Sequence, residues 1–208
     1  GSLGRVCFHP CENKCQRLLL NEAISIAAIK RAAAESDGHI WHARVTAPQP
    51  TGKKVAIVGS GPSGLTAGFY LARKGHAITV FEALSVAGGM MRVGIPEYRL
   101  PRKVLDAEIE EITRIGVDIK TNTRVESLES VLKTGYDAVL LAVGTHKPLR
   151  LGVPGENCPG VLEGIAFLRD IRMGKNVNLE GSVAVIGGGN VAIDAARTAL
   201  RLGAKAVR

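Results

Sequence analysis

Aromatic residues are scarce in this chain of 208 residues: Phe, Tyr and Trp together make up 4% of it. Modules that bind single-stranded nucleic acids stack bases on aromatic side chains, so this composition argues against a nucleic-acid partner. The chain also lacks a cleavable signal at its start, and its 46% apolar and 22% charged residues exclude intrinsic disorder. We therefore expect a folded, cytoplasmic protein of one large domain or two small ones.

Long runs of like charge are absent as well, although the net charge is +8. The densest basic pairs are Lys53-Lys54 and Arg102-Lys103. Scattered charge is typical of a solvated surface; an acidic electron-transfer partner or nucleotide phosphates are the alternatives. The longest uncharged stretch, 55–72, has the length of a membrane span, but its four Gly and one Pro favour a buried strand followed by a helix. We expect no membrane insertion.

A glycine-rich turn at residues 59–64, here called the first turn, follows an apolar strand predicted at 55–58 and precedes a helix predicted at 65–74. Its sequence G-S-G-P-S-G fits G-x-G-x-x-G, in which glycines permit a tight turn, close approach to a pyrophosphate and close helix–strand packing. The next strand, predicted at 77–81, ends at Glu82, where an acid can accept hydrogen bonds from an adenosine ribose. This order predicts a dinucleotide site; glycines that serve packing alone, with Glu82 as a surface charge, are the alternative.

The same pattern returns at residues 187–192, here called the second turn, with the sequence G-G-G-N-V-A. It lies between a strand predicted at 183–186 and a helix predicted at 190–202. Two such turns in one chain predict two dinucleotide sites, and the economical use of two sites is hydride transfer from nicotinamide to flavin. The residue that separates NAD from NADP lies about 20 positions past the glycines, beyond Arg208.

The other predicted elements complete an α/β pattern. They are an amphipathic helix around 24–35, helices at 102–116 and 164–173, strands at 117–120 and 138–143, and the approach to a strand at 204–208. We divide the chain into a helical Cys-rich region at 1–50, a Rossmann-like domain at 51–150, a connecting segment at 151–180 and the start of a second Rossmann-like domain at 181–208. The last β–α unit lacks its second strand, so we expect a longer polypeptide.

Three of the four cysteines, Cys7, Cys11 and Cys15, recur at intervals of four residues and would share one face of a helix. Clustered cysteines without a secretory signal indicate metal ligation or redox chemistry rather than disulfides. Thiolates suit an iron–sulfur cluster or zinc, and three inert buried thiols are the remaining alternative. Cys158 lies in a loop rich in Pro and Gly and is not expected to contribute.

Six strings of the sequence carry a family resemblance. They are G-R-V-C-F-H-P-C-E-N-K-C at 4–15, V-A-I-V-G-S-G-P-S-G-L-T-A-G at 55–68, A-G-G-M-M-R-V-G-I-P-E-Y-R-L-P at 87–101, L-L-A-V-G-T at 140–145, G-V-P-G-E-N-C-P-G-V at 152–161 and V-I-G-G-G-N-V-A-I-D-A-A-R-T-A-L-R-L-G-A at 185–204. Together they resemble the flavin domain of the glutamate synthase small subunit, and the N-terminal flavin region of dihydropyrimidine dehydrogenase is similar. The resemblance implies a Rossmann-like FAD-binding domain interrupted by an NAD(P)H-binding domain and preceded by a helical iron–sulfur region.

By matching positions, the resemblance also implies which residues bind the cofactors. The implied FAD contacts are Gly59, Gly61, Ser63 and Gly64 for the pyrophosphate, Glu82 for the ribose, Gly89 and Met90 for the flavin, Arg99 as a charged contact and Val125 beside the adenine. The implied NAD(P)H contacts are Gly188, Gly189, Asn190 and Val191. For Arg99 the alternative to a flavin contact is a solvated position in a loop. Asp194 is expected to cap or brace its own helix rather than to contact a ligand. No catalytic side chain is expected, because hydride transfer is the chemistry of the cofactors themselves.

The resemblance favours a 4Fe–4S cluster at the three cysteines but leaves its ligand set incomplete. Relatives often have another Cys where this chain has Leu3, and Lys30 stands at a later ligand position that is Gln in some of them. We therefore expect at most three of the four ligands of one cluster in this chain.

The function that these observations favour is an FAD-dependent NAD(P)H oxidoreductase that passes electrons to iron–sulfur centres, a larger electron-accepting subunit or a ferredoxin-like protein. A nucleotide-binding sensor or scaffold without electron transfer is the alternative from another class. A flavin reductase of the thioredoxin-reductase type would require a C-x-x-C pair in the nicotinamide domain, and none occurs in this chain.

Overall fold

The computed structural model describes residues 1–37, 48–179 and 181–208. Within these ranges, six parallel strands form two sheets. The four-stranded sheet has the order β3-β2-β1-β4 and the second sheet pairs β5 with β6. The strands are β1 Lys54–Val58, β2 Ala77–Phe81, β3 Val117–Lys120, β4 Ala138–Leu141, β5 Ser182–Val183 and β6 Ala206–Val207. Parallel strands joined by helices confirm the α/β class and the Rossmann-like arrangement that the sequence predicts.

Eight α-helices accompany these strands in the described ranges. They are α1 Ser2–Val6, α2 Ile26–Ser36, α3 Pro62–Ala72, α4 Gly89–Val93, α5 Arg102–Arg114, α6 Leu128–Lys133, α7 Gly164–Arg172 and α8 Asn190–Arg201, with short 3-10 turns at Glu12–Lys14 and Gln16–Leu19. None of these helices is both long and apolar enough to cross a membrane.

Two apolar clusters hold the described elements together. In the first, Ile57 of β1, Ile78 and Val80 of β2 and Val117 of β3 are buried on the sheet, with Ala72 of α3 against them. The second cluster joins α7 to α8 and is made of Phe167, Leu168, Ala195, Ala199 and Ala204. Each cluster therefore includes part of the helix that follows one of the two glycine-rich turns.

The strand register brings the ends of three strands to one edge of the larger sheet. Val58, the last residue of β1, pairs with Phe81 of β2 on one side and with Leu141 of β4 on the other. Because the strands are parallel, the segments that follow β1, β2 and β4 leave the sheet together. Ligands of open α/β sheets bind at this carboxyl edge.

The Cys-rich start differs from its prediction, whereas the helix predicted around 24–35 is present as α2. The segment between Cys7 and Cys15 contains a 3-10 turn and no α-helix, so the three cysteines do not share one helical face. Residues 38–47, which belong to the predicted Cys-rich region and the linker after it, and residue 180 in the connecting segment lie outside the described ranges. The division of the chain into four regions remains a prediction.

Candidate functional site

A cleft of about 740 Å³, here called the first cleft, opens at the carboxyl edge of the four-stranded sheet. The first turn, the segment after β2 and the residues after β4 line it. Seven of the residues predicted for FAD line it as well, namely Gly59, Gly61, Ser63, Glu82, Gly89, Met90 and Val125. A cavity of about 770 Å³ beside Thr79 and Tyr136 includes Val125 but none of the glycines of the first turn, so it is separate from that turn.

Gly59 and Gly64 are required by the packing of the protein itself. Gly59 has a φ of +107°, and a Cβ atom there would lie 2.3 Å from the carbonyl oxygen of Ala142 after β4. A Cβ atom at Gly64 would lie 1.9 Å from the carbonyl oxygen of Gly59. These glycines let α3 approach the end of β1 closely. Gly64 accordingly does not line the first cleft.

Gly61 differs, because no protein atom requires a glycine there. Its φ is −71°, and the nearest atom to an added Cβ is the Cα of Gly89 at 3.9 Å. The space beside Gly61 therefore belongs to the cleft. Among the described residues no side chain caps the N-terminus of α3, and the first N–H groups of a helix lack partners within it. Open backbone at a helix start suits the pyrophosphate of a dinucleotide.

Glu82 lies in the wall of the first cleft with its carboxylate already held. It is 7% exposed, and its Oε2 accepts hydrogen bonds from the backbone N–H of Ser60 at 3.0 Å and from the Ser60 hydroxyl at 2.5 Å. Its Oε1 accepts from the backbone N–H of Leu84 at 2.8 Å. The carboxylate is thus fixed in orientation at the position from which the sequence predicts a ribose contact.

The second turn stands at the start of α8 beside a separate cavity of about 740 Å³. Gly189, Asn190 and Val191 line this second cavity, and Gly188 does not. An added Cβ at Gly188 or Gly189 would meet no atom within 4 Å in the described structure. No side chain of the described residues caps α8, so its first N–H groups lack partners within the helix, as those of α3 do.

Arg99 lies outside the residues that line the first cleft. Its guanidinium Nη1 donates to Oδ2 of Asp194 at 2.5 Å, and Asp194 is 5% exposed on α8. The flavin contact implied for Arg99 remains a prediction. The structure connects Arg99 to the second turn, because Asp194 follows Asn190 by one helical turn.

Among the lining residues of the first cleft that the sequence did not single out, Ser60 and Arg169 carry polar side chains. Ser60 occupies a variable position of the glycine pattern, so the pattern carries no signal for its bond to Glu82. Arg169 comes from α7, about 80 residues further along the chain than Met90, and also faces the cleft. No local motif identifies it.

The three clustered cysteines are not gathered into a binding site. Within residues 1–37, 48–179 and 181–208, no group of three or more His, Cys, Asp or Glu side chains is placed to hold a metal ion. The three thiolates suit an iron–sulfur cluster in their chemistry but are one fewer than the four cysteine ligands that such a cluster takes. Backbone hydrogen bonds, chiefly with Ile24 and then with Arg17, lower the pKa of the Cys15 thiol. The metal site remains a prediction.

The comparison with known proteins is consistent with the dinucleotide-binding pattern of the first and second turns. Residues 53–208 match the pyridine nucleotide-disulphide oxidoreductase family. The chain therefore belongs to that family.

Two relatives of this chain bear on its resemblance to the glutamate synthase small subunit. The chain is 45% identical to the NADP(+)-dependent formate dehydrogenase subunit beta of Moorella thermoacetica, covering 100% of this chain and 33% of that protein. It is 36% identical to the small chain of NADPH glutamate synthase of Bacillus subtilis, covering 98% and 44%. The resemblance to the glutamate synthase small subunit is confirmed. This chain spans less than half the length of either relative.

A solved structure shows the same fold. The chain aligns with FprA of Mycobacterium tuberculosis, determined in complex with NADPH, with a TM-score of 0.59 and 27% identity. The alignment covers 72% of this chain and 36% of FprA.

Proposed function

We propose that this chain is part of an FAD-dependent NAD(P)H oxidoreductase, with FAD in the first cleft and the nicotinamide dinucleotide at the second turn. The observation that carries the proposal is the first cleft, in which Gly61 leaves open space beside an uncapped helix start. A second uncapped helix start at α8 supports a second dinucleotide. When bound, FAD accepts a hydride from NAD(P)H and releases electrons singly.

The residues of the chain bind and orient in this proposal. The first N–H groups of α3 receive the pyrophosphate, and Gly61 lets the backbone approach it. Glu82, fixed by Ser60 and Leu84, presents its carboxylate to the ribose. Gly189 and Asn190 perform the corresponding task at α8.

The electron acceptor in this proposal is a larger partner subunit or a ferredoxin-like protein, reached through iron–sulfur centres. The relatives support a subunit, because they are named as a beta subunit and a small chain. A net charge of +8 suits an acidic partner. All four cysteines are free, which fits a reducing compartment such as the cytoplasm.

The experiment that tests this function is the anaerobic reduction of the purified full-length protein. We expect a yellow protein with about one FAD per first cleft, bleached by NADH or NADPH. Tight binding of dinucleotides with no change in flavin absorbance would contradict the oxidoreductase and favour the sensor or scaffold. Purification without any flavin, and failure to take up added FAD, would contradict the cofactor assignment itself.

A further inference from the structure

The contact between Arg99 and Asp194 joins the two nucleotide sites through short segments of chain. Arg99 follows α4, which begins at Gly89, and an added Cβ at Gly89 would lie 2.6 Å from the Cα of Gly61 in the first turn. Asp194 stands one helical turn into α8, directly after the second turn. The ion pair therefore connects a wall of the first cleft to the helix that presents the second turn.

Tyr98 reinforces this connection. Its hydroxyl donates to Oδ1 of Asp194 at 3.3 Å, so both carboxylate oxygens are engaged. The guanidinium groups of Arg201 and Arg197 lie 4.0 and 4.7 Å from the centre of the Tyr98 ring. Asp194, Arg197 and Arg201 follow the i, i+3, i+7 spacing of one helix face. The face of α8 that carries these three residues therefore packs against Tyr98.

The charge and the burial of Asp194 make its contact with Arg99 and Tyr98 specific. Asp194 is 5% exposed, and a buried carboxylate without its cation is costly, so Arg99 fixes where α8 can lie. Burial, followed by the Asp194 carboxylate, raises the pKa of the Tyr98 hydroxyl, which keeps it protonated as a donor. A planar guanidinium and a phenol hydroxyl on one carboxylate define orientation as well as distance.

The segment that carries Arg99 has a second, independent attachment. The Arg172 side chain of α7 donates to the carbonyl oxygen of Arg92 at 3.0 Å and to Oε2 of Glu97 at 2.5 Å. Loss of the Arg99 contact would therefore leave this segment attached to α7, and α8 would then be held near it only by its apolar packing on Phe167 and Leu168 of α7. A shift of α8 moves the second turn relative to the first.

We propose that Tyr98, Arg99 and Asp194 form a positioning contact that fixes the second glycine-rich turn relative to the first. The inference rests on the proposed function, because the separation of the turns governs hydride transfer only when both dinucleotides bind. Reacting atoms must approach to roughly 3–3.5 Å, and a misplacement of about 1 Å can cost about a hundredfold in rate. These residues act on the rate through geometry without touching the reacting atoms.

The test is single-turnover reduction of the flavin in the full-length, FAD-loaded protein. The variants are Arg99→Gln, Asp194→Asn, the double variant and Tyr98→Phe, which removes one hydroxyl alone. Lys53→Gln is the matched control, because Lys53 forms an ion pair with Asp137 between elements remote from the contact. NADH or NADPH is used, whichever reduces the unmodified protein, and dithionite reduces the bound FAD without using the second turn.

We expect the limiting rate of flavin reduction to fall about tenfold or more in Arg99→Gln and Asp194→Asn, and less in Tyr98→Phe. The limiting rate of the double variant should be no lower than that of the slower single variant, because residues in contact act as one unit. FAD content and dithionite reduction should match those of the Lys53→Gln control.

Three results would overturn the inference: unchanged rates, losses that add in the double variant, or loss of bound FAD from the single variants. The proposed function fails separately, if the unmodified protein is not reduced by either nucleotide.

Discussion

Gly61 and Gly64 lie three residues apart and differ in what a methyl group would meet. At Gly61 the nearest atom is 3.9 Å away, and at Gly64 it is the carbonyl oxygen of Gly59 at 1.9 Å. One glycine therefore leaves room for something outside the protein, and the other allows a helix to pack on a strand.

This difference predicts opposite effects of the same substitution. Gly61→Ala should fold almost normally, since its φ is −71° and exchange of glycine at a helix N-cap costs about 1 kcal/mol or less. It should nevertheless lose FAD, because the methyl group fills the proposed pyrophosphate position. Gly64→Ala should lower the unfolding temperature strongly. Thermal unfolding and the flavin content of each variant measure the two effects. Full retention of FAD by Gly61→Ala would contradict the assigned pyrophosphate position.

The sequence points to several residues that line the first cleft, whereas it gives no sign of the contact between the two sites. Glycines and an acid at fixed spacing identify Gly59, Gly61 and Glu82, because short-range backbone geometry dictates them. Arg99 and Asp194 are separated by 95 positions, and no local pattern links them. Their pairing depends on how α8 packs on the segment after α4.

At the scale of elements, Asp137 joins the starts of two strands. Its Oδ2 accepts a hydrogen bond from the backbone N–H of Lys54 at 2.8 Å, and its Oδ1 accepts one from Nζ of Lys53 at 2.8 Å. Asp137 precedes β4 and Lys54 begins β1, so the carboxylate fixes the register of the two strands at their amino ends. The Lys53 side chain, followed by the Lys54 N–H, lowers the pKa of Asp137.

The lowered pKa predicts a pH dependence of stability. A carboxyl group with a lower pKa in the folded than in the unfolded state contributes stability above its unfolded pKa, about 3.9, and loses that contribution as the pH falls through the folded value. Asp137→Asn should therefore lower Tm by at most a few degrees at pH 7, with the difference shrinking as the pH falls below about 4 and vanishing below the folded pKa of Asp137. Thermal unfolding across pH measures it. Asp118→Asn, whose Lys120 partner is 3.8 Å away, is the control and should change Tm less. A difference that persists at low pH would exclude the ion pair as its cause.

The boundaries of two strands, one inside the larger sheet and one at its edge, followed from the sequence. β2 and β3 occupy the predicted residues 77–81 and 117–120. β4 ends at Leu141 rather than at 143, because its partner β1 ends at Val58 and the chain then bends at Gly59. The short helix α6 was not predicted, although Ser127 caps it by accepting from the N–H of Ser130, a signal that the sequence contains.

At the scale of the whole molecule, the Cys-rich start lies on a different element from the nucleotide sites. The backbone N–H of Ser2 donates to Oε1 of Glu108 on α5 at 2.8 Å. Helix α5 packs on β3 and α3, and none of its residues lines the first cleft. Changes at the cysteines should therefore leave the first cleft intact.

We predict that replacing Cys7, Cys11 and Cys15 together by serine removes iron and acid-labile sulfide from the full-length protein. Reduction of FAD by NAD(P)H should persist, because the flavin and nicotinamide sites lie on other elements. Metal and sulfide analysis measures the loss of the cluster. The control is Cys158→Ser, which should retain both iron and acid-labile sulfide. Stoichiometric zinc in the unmodified protein, or equal iron in both variants, would contradict a cluster at these cysteines.

The hydrogen bonds around Glu82 bear on how long a cofactor stays bound. Three donors from Ser60 and Leu84 immobilise the carboxylate before any ribose arrives, so little rotational freedom remains to be lost on association. Affinity differences of this origin reside mostly in the dissociation rate. FAD whose adenosine binds beside Glu82 should dissociate slowly enough to remain bound during chromatography. The purified protein should therefore still be yellow.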